Sequence, residues 1–221
     1  MSLPAVPEGD AAELDKRFAV GNIVEYGTYP QTEAGDSAPI EWIVLARDGE
    51  KALLISRYSL DAQAYHTEWG RVTWENSYLR SWLNEDFLNK AFTAEEQAAI
   101  LLTDVDNGPD QGNASWHGNG GNNTQDRVFL LSYAEAKQYF AANGDRRCAP
   151  TDYAIALGAH ANRKRTVDGR PAGNWWLRSP GEGSGSVVSV QTDGSLNYGN
   201  VDRSDGGVRP ALWVDLTSGA F

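Results

Sequence analysis

The sequence predicts an α+β fold in which an antiparallel sheet carries two main helices and long irregular loops. Three observations point to it. Short apolar or alternating runs stand at both ends of the chain, two amphipathic segments with helix-capping signals lie between them, and Gly-, Asn- and Asp-rich stretches separate the elements. Eight Trp, nine Tyr and six Phe in 221 residues supply large burial units for a packed core. No separating linker divides the chain, so a single domain over residues 20–221 is expected, preceded by a flexible or marginally helical lead-in at 1–19.

Residues 20–26 (VGNIVEY) alternate apolar and polar and stop at Gly27 and Pro30, as a half-buried strand does. Two apolar runs, 40–46 (IEWIVLA) and 51–56 (KALLIS), flank Asp48-Gly49, a dipeptide that favours a tight hairpin. Helical spacing then places Leu79, Trp82, Leu83 and Phe87 on one face over 77–87, with Thr73 or Asn76 as cap. Thr93-Ala94-Glu95-Glu96 has the Thr-x-x-Glu order of a capping box, and Ser132 with Glu135 repeats it at the start of a second helix over 132–140. The aromatic residues of both segments sit at core spacing. Residues 104–126 show no periodicity and read as a long surface loop. A short helical stretch at 151–157 leads to another polar loop at 158–173. Short strands follow at 175–178, 186–190, 195–201 and 208–216, with a hairpin turn at Asp193-Gly194.

Charge and composition exclude several classes. Thirty acidic residues against nineteen basic ones give a net charge of −11, which repels a phosphate backbone, so nucleic acid is not an expected partner. The isolated cluster Arg163-Lys164-Arg165 reads as a solvated loop rather than a contact patch. No apolar run approaches the ~20 residues of a membrane span. Residues 1–16 lack the basic-then-apolar order of a signal peptide, and localisation is unassigned. Cys148 is the one cysteine, which excludes an intramolecular disulfide; nothing local marks it as an activated thiol.

Catalytic machinery is not spelled out. His66, His117 and His160 fall in loop contexts, and no Gly-x-Ser-x-Gly elbow precedes a helix. Asp104, Asp106, Asn107 and Asp110 surround Gly108 with hard oxygen ligands of the kind calcium takes. The bidentate glutamate of an EF-hand is missing, and a turn cluster is the simpler reading. No metal or other cofactor is expected, calcium at this loop being the one alternative. The run 117–123 (HGNGGNN) offers a single imidazole and no strand-to-helix context for a phosphate loop. A hydrolytic enzyme would have to use loop carboxylates such as Asp104, Asp106 or Asp126, for which the sequence sets no defined separation.

The most unusual stretch is 181–207, GEGSGSVVSVQTDGSLNYGNVDRSDGG. Val187, Val188, Val190, Leu196 and Val201 can anchor short strands while the small polar residues between them face water. Ser, Gly, Asn, Asp, Tyr and Arg on strand-supported loops make a composition like that of immune paratopes, with Tyr198 and Arg203 as anchors. A plain hydrophilic surface fits that composition equally well.

The flanks of this stretch are more specific. Residues 174–181 (NWWLRSPG) and 207–214 (GVRPALWV) resemble a bacterial C-type-lectin-like domain family that includes variable proteins of diversity-generating retroelements. Upstream, 26–31 (YGTYPQ), 40–42 (IEW) and 74–83 (WENSYLRSWL) match the same pattern, so the resemblance spans residues 20–216. It implies a C-type lectin fold of the formylglycine-generating-enzyme branch, with paired first and last strands and a variable face near the C-terminus. That branch oxidises a substrate cysteine with copper held by two cysteines; a chain with Cys148 alone lacks the pair, and no enzyme activity is expected. In retroelement members, mutated template adenines turn AAC-type codons into codons ending in C, and within 183–207 Gln191 alone lies outside the reachable set. The implied ligand-binding positions are Gly183, Gly185, Ser186, Ser189, Thr192, Asn197, Tyr198, Asn200, Asp202, Arg203, Ser204 and Gly206. The resemblance thus implies a non-catalytic variable protein, of bacterial or phage origin, that binds a protein or glycan ligand. The alternatives are the hydrolytic enzyme above and a structural or interaction module of a larger assembly. Arg178 and Arg209, which flank the stretch, are expected to tie its loops to the core through carboxylate or carbonyl hydrogen bonds.

Overall fold

A computed structural model describes residues 8–221 apart from His117, with side chains from Ala12 onward. Residues 1–7 of the lead-in, and the histidine of the glycine-rich run, lie outside the described residues. The rest of the lead-in is ordered: α1 (Glu8–Arg17) ends on Lys16 and Arg17, cations that suit the negative end of a helix. Phe18 behind it is fully buried, so the packed structure begins upstream of Val20.

Three antiparallel strands follow, β1 (Ile23–Pro30), β2 (Ser37–Asp48) and β3 (Lys51–Ser56). Asp48 pairs with Lys51, so the turn is Gly49-Glu50, with Gly49 at φ +56° in the first central position as a II′ hairpin requires. The Asp-Gly signal therefore finds the hairpin but places it one residue early. After β4 (Asp61–Ala62) and a 3₁₀ turn (Trp74–Asn76), α2 (Tyr78–Trp82) continues through a π-helical turn (Leu83–Phe87) into α3 (Leu88–Ala91). Its cap is Ser77, which accepts from the Arg80 amide at 3.2 Å, and not Thr73 or Asn76; those two belong to the preceding 3₁₀ turn. α4 (Ala94–Ala99) carries the expected capping box of Thr93 and Glu96.

Two expected loops prove partly regular. β5 (Thr103–Val105) and β6 (Thr124–Asp126) pair at the base of the long connection, which holds a 3₁₀ turn at Pro109–Gln111. α5 (Tyr133–Tyr139) has the Ser132–Glu135 capping box; α6 (Asn143–Arg146) and α7 (Asp152–Ala156) are short, the latter capped by Thr151. The second polar loop is a hairpin of β7 (Ala161–Val167) and β8 (Arg170–Gly173), turned by Asp168-Gly169 with both φ positive, the I′ pattern. β7 has no buried residue, which removes the alternation a strand reading needs. The chain closes with β9 (Trp175–Pro180), β10 (Ser186–Val190), β11 (Leu196–Asn200), β12 (Gly207–Val208) and β13 (Ala211–Asp215).

The result is a mixed α/β fold of curled antiparallel sheets with few helices. One sheet has the order β1-β2-β3-β13 and the other β11-β10-β9-β12-β4, where β12 and β9 run parallel. The first and last strands do not pair: β13 joins β3, and β1 holds the opposite edge. Phe221 instead packs on rings at the start of the first sheet, 5.1 Å from Phe18 and 4.7 Å from Tyr26. Four core indoles are satisfied as well as buried. Trp42 donates to the Tyr26 carbonyl, Trp74 to Asp126, Trp175 to the Arg146 carbonyl and Trp176 to the Gln63 carbonyl, all within 2.8–3.0 Å.

The two capping boxes differ in what they hold. Thr93→Ala is expected to cost about 1 kcal/mol in urea unfolding. Ser132→Ala should cost more, because its buried hydroxyl also donates to Gln111 at 2.8 Å. Equal losses would count against this assignment.

Candidate ligand-binding face

Strand β9 supplies the base of the face, and Arg178 fixes it. All five guanidinium donors find acceptors. Nε meets Asn107 Oδ1 at 3.1 Å; Nη1 meets the Leu130 carbonyl at 2.8 Å and Glu135; Nη2 meets the Asp106 carbonyl at 2.9 Å and Glu135 Oε1 at 3.0 Å. Ser179 beside it donates to the Gln111 carbonyl at 2.7 Å and accepts from the Tyr133 amide at 2.9 Å. The long connection is thus bolted to β9. Arg209 is held differently: Nε donates to the Ser56 carbonyl at 2.9 Å, and the guanidinium sits 4.9 Å from the Trp175 ring and 5.4 Å from Phe140. Burial lowers its pKa, and its Nη1 has no partner among the described residues.

Next to β9 lies β10, whose Val187, Val188 and Val190 are all buried, and β11 forms the outer edge. The turn between them is pinned from outside. A Cβ on Gly194 would stand 1.5 Å from the Asn143 carbonyl oxygen, and the Gly194 carbonyl accepts from Arg146. Val201 returns to the core after β11, and Gly206 lies so close to Trp176 that a Cβ would come within 2.0 Å of the indole.

Within this frame the implied positions separate. Gly183, Asn197, Tyr198, Asn200, Asp202, Arg203 and Ser204 are exposed, and Ser186 and Thr192 are half-buried. Gly185, Ser189 and Gly206 are buried. Each is committed to packing or a local hydrogen bond: Gly185 seats the Trp69 indole, Ser189 accepts from Gln191, and Gly206 makes room for Trp176.

Tyr198 donates to Glu182 at 2.6 Å, and that carboxylate holds its phenol above the usual range. Its ring stands edge-on to Trp116 at 5.2 Å. Arg203 pairs in bidentate fashion with Asp205, at 3.0 and 2.6 Å, which keeps the Asp205 carboxyl below its usual range. Two depressions flank the hairpin. One, of about 40 Å³, lies over Trp176 among Ser189, Gly199, Arg203 and Asp205. The other, of about 130 Å³, lies among Arg71, Asn119, Glu182, Gly183 and Ser184. Trp69, 64% exposed, rests on Gly185 at its rim. The sequence reading missed Trp69, Arg71 and Glu182. Glu182 lay inside the unusual stretch but outside the implied positions, whereas the 69–71 segment reaches it only through folding.

The carboxylates of the rival reading are engaged elsewhere. Asp126 is buried and accepts from Arg80, Trp74 and Thr124 at 2.6–2.9 Å. Asp104 pairs across the ribbon with Gln125, which puts it on the face opposite Asp126. Asp106 caps its own turn by accepting from the Gly108 amide and Gln111, and Asn107 is committed to Arg178. Burial raises the pKa of Asp61, yet both its oxygens are occupied, by Tyr29, Gln63 and the Ala62 amide. Among the described residues no three His, Cys, Asp or Glu side chains converge as metal ligands. Cys148 is buried, with Sγ 3.4 Å from the Arg57 carbonyl.

The fold and face define a mixed α/β domain with a polar edge hairpin. Residues 49–216 match the profile of DUF6273, described as a domain of unknown function, and the chain belongs to that family. Neither a curated protein nor a solved structure matched the chain. No helix among the described residues is long and apolar enough to cross a membrane.

Two substitutions probe the division between frame and surface. Gly206→Ala should destabilise the fold by roughly 1–3 kcal/mol through overpacking against Trp176. Gly183→Ala, where a Cβ meets nothing within 4 Å, should leave the melting temperature almost unchanged. Arg178→Ala is expected to cost about 3–5 kcal/mol, because it strands Glu135 and two carbonyls. Retained stability in that variant would show that Arg178 does not organise the face.

Proposed function

We propose that this chain is a non-catalytic ligand-binding protein on a C-type-lectin-like scaffold, akin to the variable proteins of diversity-generating retroelements. Its binding face is β11 with the loop that follows, and its ligand is a protein or glycan. One observation carries the reading. Within a single stretch, Val187, Val188, Val190 and Val201 are buried while Asn197, Tyr198, Asn200, Asp202, Arg203 and Ser204 are exposed. Side chains on the outer set can change without disturbing the inner one. A face held this way loses little ordering entropy when it binds, since the turn and strand are already fixed by contacts to Asn143, Arg146 and Trp176.

Sequencing the gene from several isolates tests the diversification. Substitutions should gather at the exposed positions and spare the buried valines, Gly194 and Gly206. A uniform stretch amid ordinary drift elsewhere would remove the idea. The face itself is tested by selecting ligands from a glycan array and a displayed peptide library. Combined alanine replacement of Tyr198, Asn200 and Arg203 should weaken every selected ligand by about tenfold or more.

A further inference from the structure

The two larger sheets cover their edges with one exception. β13 exchanges backbone hydrogen bonds with Phe129 at 2.7 and 2.9 Å, and Leu101 donates to the Trp213 carbonyl at 2.8 Å. The segment entering β4 is bracketed by Ala149 and Thr151, and Ala154 of α7 packs on Ala62 of β4. β1 lies against Ala91 and Phe92, and its Gly27 amide donates to Glu96. β11 has no such cover among the described residues.

The phase of its ladder follows from the hydrogen bonds beyond each end. Val201 N donates to Gly185 O and Gln191 N to Ser195 O, and the register between them is unbroken. By antiparallel alternation, Gly199 and Asn197 bond to β10 while Leu196, Tyr198 and Asn200 turn their N–H and C=O groups outward. Two of these are satisfied locally: the Tyr198 amide by Asn197 Oδ1 at 2.9 Å, and the Asn200 carbonyl by the Arg203 amide at 3.3 Å. The edge carries no lysine, proline or bulge, the devices that usually block strand addition.

We propose that β11 accepts an extended peptide segment of a protein partner as an added strand. The proposal rests on β11 being the binding face, and names its occupant. A peptide backbone matches the outward row of donors and acceptors. Charge selects its side chains: Glu182 stands beside Tyr198, Asp202 lies past Asn200, Arg203 is neutralised by Asp205, and Arg71 in the depression beside Glu182 leaves the acidic groups in excess among the described residues. The partner segment therefore carries Lys or Arg at that end. A second copy of this chain would oppose the same acidic groups on a molecule of net charge −11.

Short random peptides displayed on phage and panned on the full chain provide the probe. Enriched sequences should be extended and basic. Asn200→Pro deletes an outward N–H and leaves the β10 ladder intact, so it should weaken the selected peptides about tenfold or more beyond what Asn200→Ala, which removes the side chain alone, does. If the proline variant fails to fold, N-methylation of alternate residues in the peptide does the same from the other side and should abolish binding. Equal binding by the proline variant or the methylated probes overturns the inference, as does failure to enrich any peptide. A concentration-dependent dimer in sedimentation that Asn200→Pro dissolves would assign the edge to a second copy instead. These outcomes leave the binding face standing if array glycans still respond to the alanine set; the broader reading falls only when no ligand does.

Discussion

The fold around the candidate face depends on how Arg178 is buried. Removing a guanidinium from water is costly, and the cost is met here by complete satisfaction: one carboxylate, two carbonyls and one side-chain amide occupy all five donors. Its net contribution to stability need not be large. What it fixes is position, because its acceptors come from the long connection at Asp106 and Asn107, from Leu130, and from the first turn of α5 at Glu135. Glu135 also closes the α5 capping box, so the ion pair and the helix start are one network. Three segments with little regular structure between them thereby converge on β9, the strand that β10 and β11 build upon.

Arg209 makes the contrast instructive. It is equally buried and borders the same stretch, yet it has one backbone acceptor and two aromatic rings in place of a carboxylate. An arginine held by rings adds packing at the seam between the two sheets, since Ser56 belongs to one and Trp175 to the other. Arg178 locks irregular chain; Arg209 locks regular layers. The aromatic cluster of Phe18, Tyr26 and Phe221 then ties the C-terminal residue to the first sheet.

Legibility from sequence tracked burial. The amphipathic helix runs were readable because half-burial writes a period into the sequence, the strands at 51–56 and 186–190 because burial on both faces leaves a short apolar run, and the capping boxes from their residue order. The β7–β8 hairpin and the β5–β6 ribbon were not, for β7 is solvated throughout and the ribbon strands are three residues long. Ser77 was overlooked as a cap because Thr73 and Asn76 compete for the same role and belong to a preceding 3₁₀ turn that periodicity does not reveal. Within the candidate face, composition could not separate Gly183, with open space around it, from Gly206, which lies under an indole. Glycine in a polar run means either freedom or close approach, and only the packed neighbour distinguishes them. The pairing of the chain's first and last strands, implied by resemblance, was replaced by β3–β13 pairing.

An open, unbulged edge on an acidic molecule is a hazard as well as an opportunity, since any extended chain can add to it. Three features restrain β11. It is five residues long, which limits the ladder that nonspecific pairing can form. The outward Tyr198 amide is already occupied by Asn197, so an incoming strand must displace an existing hydrogen bond rather than meet a bare donor. The net charge of −11, with Glu182 and Asp202 near the edge, opposes pairing with other copies and with acidic chains. Together they convert a general stickiness into a filter. Under the proposed reading, a partner gains from the edge when it supplies both an extended backbone and positive charge, and side chains at Tyr198, Asn200 and Arg203 then discriminate among the chains that pass. On this view, backbone geometry held by Arg178 sets the mode of binding, and the exposed polar residues set its specificity.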